Sequence, residues 1–152
     1  MVAIKDALGE LTTAAEQLNT ASDQLNETIA ALDADLAKTG VGISVWLNVV
    51  LQPQTIVDGD GDDWRESYNL GYAKTAGEWC MVVRREQYRE WNNAGGFRQD
   101  DNRVVSGAIP LQQAPRSVRL EAAPHLEELI RQLAAQAKKF AANVEEAQKL
   151  VE

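Results

Sequence analysis

In the N-terminal part of the chain, apolar side chains recur in alternating steps of four and three: Ile4, Leu8, Leu11, Ala15, Leu18, Leu25, Ile29, Leu32 and Leu36. Ser22 is the one polar residue in the series. These steps hold a period of 3.5, which keeps a narrow apolar stripe on one side of a helix from heptad to heptad. A helix that lies on a sheet or in a globular bundle usually carries a wider stripe with the 3.6 period of the free helix. The C-terminal part repeats the pattern with Leu126, Ile130, Leu133, Ala137, Phe140, Val144, Ala147 and Val151. Two such seams in one chain predict helix-on-helix packing.

The seams also complement each other. Laid antiparallel, Ile4 falls on Val151, Leu8 on Ala147, Leu11 on Val144 and Ala15 on Phe140. The match continues with Leu18 on Ala137, Ser22 on Leu133, Leu25 on Ile130 and Ile29 on Leu126. Each small residue meets a large one, as close packing of a narrow seam requires. The first helix is expected over 3–38, about 54 Å at the rise of an α-helix, with Gly40 as its stop. The helical return is expected over 115–151, with Pro115 in its first turn and a kink near Pro124.

Between them, residues 41–106 read as antiparallel β-structure. Eight of the nine aromatic residues lie between Trp46 and Phe97. In "GISVWLNVVL" the side chains of Ile43, Val45, Leu47, Val49 and Leu51 alternate onto one face. "YNLGYAKTAGEWCMVV" reads as a hairpin: Tyr68, Leu70 and Tyr72 share a face, Trp79, Met81 and Val83 continue it, and Lys74 to Gly77 form the turn. A further strand is expected within 97–105. The expected fold class is therefore α+β in a single domain, 1–152: a long antiparallel two-helix coiled-coil hairpin with a small antiparallel β-meander of three to four strands inserted at its closed end. In outline this is similar to prefoldin-type chaperone subunits, which also insert β-structure between two coiled-coil helices, although the insert here is much larger.

Charge narrows the choice of partners. The chain has 23 acidic against 15 basic residues, a net charge of -8. A field of that sign repels nucleic acid and anionic membranes. The longest apolar run, Val41 to Leu51, is about half the roughly 20 residues of a spanning helix. The N-terminus lacks the basic and apolar regions of a secretory signal, and a soluble, cytoplasmic protein is expected. Cys80 is the only cysteine, which excludes an intrachain disulfide and a multi-cysteine zinc site.

Little in the sequence points to chemistry. "VDGDGDDWRES" resembles the start of a calcium loop, but an EF-hand counted from Asp58 needs glycine at its sixth position and glutamate at its twelfth. Asp63 and Asn69 stand there instead. A looser Ca2+ site built from Asp58, Asp60, Asp62 and Glu66 is the alternative to a solvated loop that blunts a sheet edge. Arg84, Arg85, Tyr88, Arg89 and Trp91 form a basic and aromatic cluster, continued by Phe97, Arg98 and Arg103. Glu86, Glu90, Asp100 and Asp101 nearly cancel its charge, so it reads as a surface for a protein or peptide partner and not for a nucleic acid. His125, the single histidine, reads as a capping or surface residue, and Cys80 as a partly buried, inert thiol. No phosphate loop, dinucleotide fingerprint, nucleophile elbow or HExxH motif is present. The expectation is a non-catalytic interaction or scaffold protein that self-associates, most simply as a dimer. The alternatives are a metal- or small-ligand-binding module using loop 58–66, or an enzyme of unrecognised class with a carboxylate and arginine site in the β insert.

Overall fold

The structure is a computed structural model that describes residues 1–151 apart from 58, 60, 62, 93, 94 and 97, and apart from the side chains of Trp91, Asn92, Arg98 and Gln99. It opens with a long helix, α1 (Val2–Thr39), which ends at Gly40 in the left-handed region. The strands follow as β1 (Val45–Trp46), β2 (Leu51–Val57), β3 (Asp63–Thr75), β4 (Glu78–Asn92), β5 (Arg98–Val104) and β6 (Ile109–Pro110). After a 3-10 turn at Leu111–Gln113 come α2 (Arg116–Ala122), a second 3-10 turn at Ala123–His125, and α3 (Leu126–Lys149).

Among the described residues the six strands form one antiparallel sheet, and the β3–β4 hairpin is its spine. Each long strand is flanked by two short ones in tandem. β1 pairs with β3 at Tyr72 and Gly71, near the hairpin turn, and β2 pairs with it farther out, from Tyr68 to Asp63. On the other side β6 pairs with β4 at Val82 and Val83, and β5 pairs from Glu86 to Asn92. The sheet thus has a turn end, where helices cover it, and a free end beyond them.

The hairpin register explains the division. Tyr72 faces Met81 and Leu70 faces Val83, so these four side chains share one face, which continues outward through Tyr68–Arg85 and Glu66–Gln87. At the turn end that face is apolar and fully buried. Leu70, Tyr72, Met81 and Val83 join Leu47 and Leu51, Ile29 and Leu36 from α1, Val118 and Ala122 from α2, and Leu126, Leu129 and Leu133 from α3 in one core. At about 1.5–3 kcal/mol for each fully buried large aliphatic side chain, this core dominates the stability of the fold. The stacked rings of Tyr72 and Trp79, 5.7 Å between centroids, extend it toward the turn.

Two local devices hold the edges. A Cβ on Gly71 would stand 2.5 Å from the Trp46 ring, so only glycine lets the β1 indole lie flat on β3. The Arg84 guanidinium then covers the same indole, 3.9 Å from the ring centroid. On the β4 side, β6 ends in Pro110, leaving the Met81 N–H beyond it without a strand partner. Asp33 of α1 takes that place: its Oδ1 accepts from Met81 N–H at 2.8 Å and its Oδ2 from Gln112 Nε2 at 2.7 Å. The carboxylate lies buried between helix and sheet, and it ties α1 to the edge of β4.

The coiled-coil hairpin with a small meander does not form, and the outline shared with prefoldin-type subunits goes with it. α1 packs on β4, α2 and the first 3-10 turn, and α3 packs on β1 and β3. The physical reason is the size of the insert. β3 has 13 residues and β4 has 15, and their apolar face offers more buriable surface than a seam interrupted by Ala15, Ser22, Ala137 and Ala147. Local expectations fare better: the hairpin face, the stop at Gly40 and the break at Pro124 are all present. The expected long strand over 43–51 is not regular, since only Val45 and Trp46 pair before Leu51. Its alternation still sends Leu47 and Leu51 into the core, with Ile43, Val45 and Val49 packed against it.

Candidate interaction surfaces

The helices outgrow the body they cover. In α1 the buried residues are Ser22, Ile29, Asp33 and Leu36, whereas residues 2–21 are exposed except for half-buried Ala15. In α3 the buried residues are Leu126, Leu129 and Leu133, and beyond them only Gln136 and Ala137 are even partly covered. The heptad seams run straight through both transitions. Ile4, Leu8 and Leu11 are 60%, 56% and 62% exposed, and Phe140 and Val144 are 45% and 57% exposed. Where the bases of α1 and α3 face each other, an apolar groove of about 430 Å³ lies between Leu32, Leu126 and Ile130, with Glu127 and Arg131 at its rim. Isolated exposed leucines are ordinary on protein surfaces, but these stand in rows at seam spacing.

The free end of the sheet has a different character. On the face that is apolar near the turn, the outer half carries a polar ladder. Glu66 and Gln87, both buried, pair across the hairpin, Gln87 Nε2 donating to Glu66 Oε2 at 2.8 Å. Gln54 Nε2 and Arg85 reach the other oxygen of Glu66 at 3.5 Å each. Arg103 of β5 donates to Gln87 Oε1 at 2.5 Å and stacks on the buried Trp64 ring, 3.8 Å from its centroid. Arg89 lies against the same ring at 4.5 Å and bonds Asp101 at 2.8 Å. The ladder meets the requirement that buried polar groups be paired, and it orders the end of the sheet without a hydrophobic core. Beside it, a small cleft of about 270 Å³ lies between β2 and α2, lined by Gln54, Glu66, Tyr68, Arg85 and Ser117. Its rim includes Gln52, held at φ 51 within the β2 bulge, whose N–H donates to Glu121 Oε2 at 2.7 Å.

The residues singled out in the sequence are distributed as follows. Asp58, Asp60 and Asp62 of the acidic stretch lie outside the described residues. Glu66 sits in β3, inside the polar ladder. Among the described residues no group of three or more acids, histidines or cysteines is placed to hold a metal ion. The arginine cluster divides by strand alternation. Arg85 and Arg89 lie on the ladder face, while Arg84 and Tyr88 lie on the other, where Arg84 pairs with Glu86 at 2.8 Å and Tyr88 donates to Glu90. That bond to Glu90 pushes the Tyr88 phenol up to about 12. The side chain of Trp91 lies outside the described residues. Burial, aided by Asp33, pushes the Cys80 thiol up to about 11, which keeps it protonated and unreactive at neutral pH. His125 is half-buried in the 3-10 turn that breaks the C-terminal helix.

Sequence reasoning passed over Asp33, Trp64 and Gln87, the pairing partner of Glu66. The signal for the ladder was available: Trp64 and Glu66 continue the Tyr68–Leu70–Tyr72 alternation one strand-turn earlier. No such signal exists for Asp33, which looks like any exposed acid of a helix until β4 is placed beside it. None of the protein-family profiles, curated proteins or solved structures compared with the chain matches it. Among the described residues no helix is long and apolar enough to cross a membrane.

Proposed function

We propose that the protein is a non-catalytic interaction module that binds an amphipathic helix along the open seams of α1 and α3. One observation carries this reading: the heptad pattern continues without a break from the covered half of α1 into the exposed half, ending in Leu18, Leu11, Leu8 and Ile4. A helix selected only to cover the sheet has no need of leucine at seam spacing beyond the sheet. Helix-in-groove recognition uses anchors at this spacing, and the apolar groove at the base of the arms supplies a seat for the first of them. The polar ladder is a stiffening element in this reading, since its carboxylates and arginines already bond one another.

The test is a fluorescence-anisotropy titration of the chain with a synthetic amphipathic helix carrying leucine at 4-3 spacing and lysine on its outer face. Saturable binding that is lost in the Leu8→Asp, Leu11→Asp double variant supports the reading. Both positions are exposed, so the variant keeps its fold, and its circular dichroism verifies that. Binding that the double variant retains, or an absence of binding by the native chain at concentrations where it sediments as a monomer, removes the reading.

A further inference from the structure

The two open seams differ in a way that identifies their occupant. The exposed part of α1, residues 2–21, carries Lys5 against Asp6, Glu10 and Glu16 and is acidic. The exposed part of α3, residues 134–149, carries Lys138, Lys139 and Lys149 against Glu145 and Glu146 and is slightly basic. Pairing α1 with α1, or α3 with α3, sets like charge on like. Pairing α1 with α3 brings together arms of opposite net charge, whose long-range fields favour that pairing over like with like.

Shape agrees with charge. In antiparallel register the large Leu8 meets Ala147, Phe140 meets Ala15, and Leu18 meets Ala137. Several residues flanking the seams are small: Ala7, Ala14 and Ala21 on one helix, Ala134 and Ala141 on the other. Two helices with such flanks approach closely. Within one molecule this contact is not made, because the bases of both helices are committed to the sheet and Ile4, Leu11 and Val144 stay open.

We infer that the occupant is a second copy of the chain, whose α3 arm lies antiparallel on this copy's α1 arm while its α1 arm receives this copy's α3. This rests on the proposed helix-binding role and names the partner. The contact is reciprocal, as a closed two-fold dimer requires. In this register the tips of the arms meet, so the four arms form one bundle with both sheets at the same end. The exposed leucines and Phe140 become its core.

The experiment uses the full chain with Cys80→Ser as background. Leu11→Cys and Val144→Cys are made in separate copies, mixed, and oxidised at micromolar concentration, with sedimentation velocity on the unmodified chain in parallel. The expected results are a dimer of the 16.7 kDa chain, a disulfide joining a Leu11→Cys copy to a Val144→Cys copy, and loss of the dimer in the Leu8→Asp, Leu11→Asp variant. A dimer that cross-links only Leu11→Cys to Leu11→Cys overturns the crossed pairing. A monomer that still binds the synthetic helix overturns the second copy as occupant but leaves the helix-binding role standing. A monomer that does not bind it, or one in which a chain carrying both Leu11→Cys and Val144→Cys closes its own arms by an internal disulfide, overturns both.

Discussion

The two halves of α1 carry one periodicity and meet two fates. From Ser22 to Leu36 the seam is driven into the body, with Ile29 and Leu36 against strands and helices and Asp33 bonded to the edge of β4. From Ile4 to Leu18 the same spacing faces solvent. The difference shows that a heptad seam specifies a face and leaves the choice of cover to whatever apolar surface is nearest and largest. Here that surface is the turn end of the β3–β4 hairpin, and it captures only the half of the helix it can reach.

The comparison breaks most easily at Ile29. Its side chain is fully buried, so Ile29→Ala removes buried methylenes and leaves a cavity, at a cost of about 2–5 kcal/mol. Leu129→Ala, fully buried on α3, is expected to cost about the same. Chemical denaturation measures both as a drop in midpoint with little change in slope. If Ile29→Ala proves as mild as an exposed substitution, the covered half of α1 is not packed on the sheet as described.

A smaller effect is expected at Asp33, where the interaction is polar. Asp33→Ala leaves the Met81 N–H without its acceptor in a buried place, while the amide of the exposed Gln112 turns to water. An unsatisfied buried donor costs about 1–3 kcal/mol. Hydrogen exchange gives the sharper readout, because the Met81 amide should lose protection ahead of its neighbours Val82 and Val83.

Asp33→Asn separates the acceptor from the charge. The amide oxygen still accepts from Met81 N–H, and the Gln112 amide turns to present its own oxygen. Burial holds the Asp33 carboxyl above its ordinary value, outweighing the hydrogen bonds from Met81 and Gln112 that pull it down. The folded chain therefore binds this proton more tightly than the unfolded chain. The contribution of Asp33 to stability is fullest below the ordinary value of 3.8 and declines as pH rises through the folded-state value. Asn carries no charge, so the stability of Asp33→Asn relative to the native chain should rise across that window and then level off. Thermal unfolding of both proteins from pH 3 to 7 measures it, and parallel curves would show that the carboxylate is not buried in the folded state.

How much of this was legible in the sequence follows from the range of each interaction. Contacts close in the chain were readable: Tyr72 and Met81 alternate about a short turn, Gly40 stops a helix, and Pro124 breaks one. The acidic balance and the arginine-rich strand were readable as composition. Competition between covers was not. The small-to-large match of the two seams is equally good within one molecule and between two, and only the size of the hairpin's apolar face decides which contact is satisfied first. The arginine-rich candidate surface is divided between two faces for a related reason. Arg84, Arg85, Tyr88 and Arg89 are neighbours in sequence, yet strand alternation sends them to opposite faces, and Arg85 finds its partner in Glu66 on another strand.

The smallest expected effect lies in the exposed half of α1. Leu11 buries little within its own chain, and alanine is the better helix former. At dilute concentration Leu11→Ala should therefore leave the unfolding free energy within about 0.5 kcal/mol of the native value. Any sizeable loss should appear only as concentration rises, because a side chain covered by a second copy contributes to stability through mass action. The measurement is the denaturation midpoint of native and variant chains over a hundredfold range of protein concentration. Midpoints that diverge with concentration place Leu11 in an interface between copies. A constant, large deficit at every concentration would instead place it under cover within one chain, and the contrast between the two halves of α1 would vanish.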